Sequence, residues 1–141
     1  MKNPADSQAD KHVLHLTEVD GSHPVIDQWL EAVNTGCAER VCQLYAPDAI
    51  LLPTLSPNIL SAPDQILDYF RFFLDRQSLA VKLIDCYVQT YSEVKIDSGI
   101  YEFTWMANDK AQSTRARFTF VIRGGLIVEH HSSLSPDLLV G

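Results

Sequence analysis

The chain has 141 residues, 46% of them hydrophobic, and a net charge of −7. That length and composition fit one globular domain with a sizeable core. The negative charge argues against nucleic acid as a partner, because phosphate-backbone binding needs a basic footprint and the basic residues here form no stripe.

The opening, MKNPADSQADKH, is polar and has no apolar signal-peptide core. Residues 1–20 alternate only weakly, through Val13-Leu14-His15-Leu16, and are expected to form a mobile tail that docks late. Residues 21–141 are expected to form the single domain. No apolar run anywhere approaches the roughly 20 residues that span a bilayer. No membrane partner and a cytoplasmic location are therefore expected. The three cysteines, Cys37, Cys42 and Cys86, are odd in number and lack CxxC spacing, so free thiols rather than disulfides are expected.

The first helix is predicted from about Pro24 to Thr35. Ser22 is its expected cap, Val25, Ile26, Trp29, Leu30 and Val33 share one face, and Gly36 ends it. A second, short helix is predicted over about Ala38–Tyr45. A short strand at Ala49–Pro53 leads into the loop TLSPNILS. A third helix follows, capped by Ser61, with Ile66, Leu67, Phe70, Phe73 and Leu74 on its apolar face and its end near Arg76-Gln77.

From Leu79 the hydrophobic period becomes two. Strands are predicted at 79–91, 94–106, 114–123 and 126–133, with turns at Asn108-Asp109 and Gly124-Gly125. Helices first and antiparallel strands after give an α+β fold with a curved sheet. A two-residue turn at Gly124-Gly125 predicts that Arg123 faces Leu126, Val121 faces Val128, Thr119 faces His130 and Arg117 faces Ser132. Phe118, Phe120, Ile122, Ile127, Glu129 and His131 then share the other face. Polar groups converging at one end of an apolar curved surface fit a ligand pocket, and burial at a subunit interface fits the same pattern.

The segments VEHHSSLSP, ARFTFVIR and GIYEFTW, and the loop LLPTLSPNIL followed by the helix DQILDYFRFFLDR, resemble the nuclear transport factor 2-like superfamily. Within it, residues 22–136 are similar to the association domain of calcium/calmodulin-dependent protein kinase II and its stand-alone bacterial homologues. The resemblance implies a cone-shaped fold, a strongly curved antiparallel sheet around helices, a pocket at the open end, and homodimers or larger assemblies. It further implies arginines that project into the pocket and hold a small carboxylate. Here the arginine of the next-to-last strand falls at Arg117. Ser132 and Glu102 stand where two others belong, and Ile66 near where a pocket histidine belongs. No glycine-rich phosphate loop, HRD or DFG segment is present, so no kinase segment accompanies the domain.

Two functions are open at this point. One is a non-catalytic oligomerising domain with a small-molecule pocket, lined by Arg117, Glu102, Thr104, Thr119, His130, Ser132 and Tyr69. The alternative is a small cofactor-independent enzyme of the ketosteroid isomerase, dehydratase or polyketide cyclase type. There Glu102 or His130 would abstract a proton, and Thr104 or Tyr101 would steady the oxyanion. No metal site is expected, because His130 and His131 are neighbours on a strand and point to opposite faces. No cofactor is expected either, because Gly124-Gly125 opens no helix that would hold a phosphate.

Overall fold

The computed structural model describes residues 12–16 and 24–136. Helix α1 (Pro24–Thr35) is followed by α2 (Ala38–Cys42), and α3 (Pro63–Phe73) follows strand β2 (Tyr45–Leu52). Strands β3 (Gln77–Thr90), β4 (Val94–Ala107), β5 (Lys110–Arg123) and β6 (Leu126–Leu134) follow, and β1 (His12–Leu16) precedes α1. All six strands form one sheet in the order β1-β3-β4-β5-β6-β2.

The first helix matches its predicted span. Gly36 stops it with a positive φ of 75°, a conformation that costs glycine little. Its expected cap, Ser22, lies outside the described residues. Asn34 ties the helix to the sheet: its amide donates to the Val81 carbonyl and accepts from the Val81 N–H. Trp29, 1% exposed, is the hub of the core. It stacks on Tyr101 and meets Phe70 and Phe120 edge-on.

Four local expectations change. Residues 12–16 of the expected tail form β1, an edge strand antiparallel to β3, held there by stacking of His15 on Tyr87 and its contact with Asp85. The rest of residues 1–20 lies outside the described residues. The second helix stops at Cys42, because Tyr45 pairs in parallel with Ile127 and the Leu44 carbonyl accepts the Ile127 N–H. Long-range pairing overrides local helical spacing there. The third helix is capped at Ala62, not Ser61, because Pro63 begins the helix and holds the residue before it extended. Gln65 accepts the Ser61 N–H instead. That helix ends at Phe73 rather than near Arg76-Gln77, since Leu74 closes it and β3 starts at Gln77.

The closing hairpin carries the largest change. Gly124 and Gly125 both have positive φ, at 60° and 79°, as a two-residue primed turn requires. Arg123 faces Leu126 and Ile122 faces Ile127, but Val121 then faces Glu129 and not Val128. Val128 is an extra residue, a β-bulge. Beyond it every pairing moves by one: Phe120 faces His130, Thr119 faces His131, Phe118 faces Ser132 and Arg117 faces Ser133. Because side chains alternate, this slip exchanges the two faces. His130 and Ser132 join Phe118 and Phe120 inside, while Glu129 and His131 go outside.

Candidate functional site

At one end of the sheet the loop after β2, the end of α3 and strands β3 to β6 enclose a cavity of about 120 Å³. Its walls are mostly apolar, with Leu79, Phe73, Phe103, Trp105 and Leu134 among them, and its polar side chains are Thr54, Arg76 and Thr114. Behind Thr54, Phe73 and Phe103 lies a recess of about 20 Å³ that touches Tyr69, His130 and Ser132, room for about one water.

Arg76 supplies the cavity's cation. Its guanidinium lies 5.1 Å from the ring centroids of Phe72 and of Phe73, and Nη1 donates to the Phe73 carbonyl at 3.0 Å. These contacts hold the group in place without neutralising it. Arg40, Arg71, Arg115 and Arg123 each pair with a carboxylate, whereas Arg76 has no carboxylate partner among the described residues.

Behind the cavity a chain of hydrogen bonds runs through the core. The Trp29 indole N–H donates to Tyr45 Oη at 3.1 Å, and Tyr45 Oη lies 2.7 Å from His130 Nδ1. His130 Nε2 is 3.2 Å from Tyr101 Oη, which donates to Ser132 Oγ at 2.6 Å. Ser132 Oγ is 2.5 Å from Thr54 Oγ1. Both ring nitrogens of His130 are therefore occupied by neutral hydroxyls. Burial, with a smaller push from nearby His131, lowers its pKa to about 3. Burial also raises Tyr45 and Tyr101 well above the ordinary phenol range. Tyr45, Tyr101 and His130 are therefore all neutral at neutral pH.

The seven residues expected in the pocket separate into two sets. Tyr69, His130 and Ser132 face the interior recess. Arg117, Glu102, Thr104 and Thr119 lie on the opposite, convex face, because their strand neighbours Ala116, Phe118, Phe120, Tyr101 and Phe103 fill the core. Glu102 is bound there to Arg115 at 3.1 Å and to Lys82 at 3.5 Å, and the Arg115 bond chiefly holds its carboxyl below the usual range. Arg117 instead shares a shallow outer groove with Thr119, His131 and Ser133. Glu102 and His130 are thus on opposite sides of the sheet and form no acid–base pair. His130 and His131 do point to opposite faces, one buried and one exposed.

Sequence reasoning passed over Arg76, Thr54 and Tyr45 as site residues. Arg76 had a signal: it follows Phe72 and Phe73 at helical spacings of four and three. Thr54 had none, because loop residues acquire partners only through the fold.

Residues 22–136 match the calcium/calmodulin dependent protein kinase II association domain. The chain belongs to that family. A solved structure from Xanthomonas campestris, assigned to the same association domain, is 36% identical, with a TM-score of 0.73 over 80% of this chain and 84% of that one. A nuclear transport factor 2-like protein with a cystatin-like fold from Novosphingobium aromaticivorans has a TM-score of 0.68 at 12% identity, covering 79% of this chain and 78% of its own. A nuclear transport factor 2-like protein from Streptomyces avermitilis, assigned as a dehydratase, has a TM-score of 0.71 at 16% identity, covering 79% and 91%. The last two establish the nuclear transport factor 2-like, cystatin-like fold and nothing about chemistry. No curated protein matches the chain. Among the described residues, no helix of this association domain is long and apolar enough to cross a membrane.

Proposed function

We propose that this association domain is a non-catalytic, self-associating unit with a pocket for a small carboxylate, working in the cytoplasm. The ligand reading rests on one observation: Arg76 brings a guanidinium without a carboxylate partner among the described residues into a mostly apolar cavity. A carboxylate can take two parallel hydrogen bonds from such a group while its carbon body contacts the aromatic walls. The cavity approaches the roughly 150 Å³ that accepts benzene, so the acid is ring-sized or shorter. Free Cys37, Cys42 and Cys86 fit a reducing compartment.

Self-association is supported by family membership and by the convex face. Ile96, Ile100 and Val121 point away from the core and remain partly exposed, beside Tyr87 at 47% exposure. Such a patch is what a sheet-to-sheet dimer would cover. Sedimentation at micromolar concentration is expected to give a dimer or larger, and Ile100→Asp with Val121→Asp a monomer. A monomeric wild type defeats this half of the reading. In a thermal-shift screen of small carboxylic acids, Arg76→Ala is expected to remove stabilisation that wild type shows. Equal shifts in both proteins, or none in wild type, defeat the pocket half.

A further inference from the structure

Counting hydrogens along the buried chain fixes what Thr54 offers the cavity. An indole N–H can only donate, so Tyr45 Oη accepts from Trp29. Tyr101 spends its one hydrogen on Ser132, so it can only accept from His130. His130 Nε2 therefore carries the ring proton of the neutral imidazole, and Nδ1 accepts from Tyr45. Ser132, buried and already accepting from Tyr101, has no other acceptor among the described residues than Thr54 Oγ1. A buried hydroxyl hydrogen left unpaired is destabilising, so Ser132 donates to Thr54. Every hydrogen runs the same way, from the indole toward the cavity. Thr54 stands last, half-exposed, with its oxygen occupied as an acceptor and its own hydrogen left to offer to a partner in the cavity it lines with Arg76.

We propose that Thr54 is a committed donor in the pocket, and that the ligand is a small carboxylic acid bearing a second, acceptor-only oxygen: an oxo-acid or an ether acid. This rests on the reading that Arg76 holds the carboxylate. The carboxylate sits on Arg76, the apolar body lies against Phe103 and Trp105, and the carbonyl or ether oxygen takes the Thr54 hydrogen. A site built this way rejects an analogue that lacks the oxygen, because the Thr54 O–H then loses its partner.

The test uses two isosteric pairs in calorimetric titration: 4-oxopentanoate against 4-methylpentanoate, and 3-methoxypropanoate against pentanoate. Wild type is expected to bind the oxygen-bearing acid of at least one pair about fivefold to tenfold more tightly, as one hydrogen bond allows. Thr54→Val should bring that ratio close to one, Thr54→Ser should preserve it, and Arg76→Ala should abolish binding of both acids. If wild type binds the members of each pair equally, or Thr54→Val leaves the ratio intact, the donor assignment is overturned while Arg76 keeps its role. If no acid binds wild type, or Arg76→Ala binds all four normally, the carboxylate reading falls, and this inference with it.

Discussion

His130→Phe is expected to destabilise the domain by about 3 kcal/mol at pH 7 and to lower Tm by about 10 °C. Phenylalanine keeps the volume and the stacking on Phe120, whose ring lies 3.9 Å away. It removes both nitrogens, so the Tyr45 hydroxyl loses its acceptor and Tyr101 its donor in the protein interior. The acid limb gives a second readout. The folded state holds His130 neutral down to about pH 3, whereas the unfolded chain protonates it near pH 6.5. The unfolded state therefore binds the extra proton, and this stability, complete above pH 6.5, is lost as pH falls toward 3. The loss approaches about 1.4 kcal/mol per pH unit. Phenylalanine cannot titrate, so the stability curves of wild type and variant should converge near pH 4. Urea denaturation at pH 7, 5.5 and 4 measures this. Parallel curves would mean that His130 titrates in the folded protein as it does in the unfolded one.

Gly99→Ala is expected to cost about 3 kcal/mol, the upper end for forcing atoms into a packed interior. A Cβ at Gly99 would lie 1.9 Å from the Asp85 carbonyl oxygen and 2.9 Å from both the Asp85 carbonyl carbon and Cys86 Cα. All three are backbone atoms, so no rotamer change relieves the overlap. The cause is a second bulge: Leu83 faces Tyr101 but Asp85 faces Ile100, leaving Ile84 extra on β3. The bulge bends the sheet and brings β3 down onto Gly99. Thermal and urea unfolding check the size of the effect, and a loss below about 1 kcal/mol would show that the two strands separate easily.

Much of this architecture was readable in residue order. The helical spacing of Val25, Ile26, Trp29 and Val33 marks α1, and paired turn residues mark both late hairpins, with Asn108 and Asp109 at φ values of 53° and 59°. Local pattern could not reveal pairings decided elsewhere. Tyr45 suits a helix face as well as a strand, and its parallel contact with Ile127 decides the matter. Val128 looks like any strand valine, and nothing at the bulge announces the extra residue. That one residue reassigned His130 and Ser132 to the interior. The outward placement of Arg117 and Thr119 follows from the aromatic residues on either side, while Glu102 and Thr104 alternate with Tyr101 and Phe103. Alternation alone points these four side chains outward, whereas the resemblance to arginine-lined pockets pointed Arg117 inward. Arg76 was not legible as a pocket residue, because the third helix was expected to end near Arg76-Gln77, whereas it ends at Phe73 and leaves Arg76 in the connection to β3.

The bulge at Val128 also divides the kinds of change that the last strand can accept. A substitution there alters one side chain. Deleting Val128 restores simple pairing and keeps the faces, with Glu129 still opposite Val121 and His130 still opposite Phe120. Straightening the strand with Val128 in place would instead turn it over, severing the hydrogen-bond relay and carrying Glu129 into the aromatic interior. Along this strand, then, the reading frame of inside and outside is held by one looped-out residue.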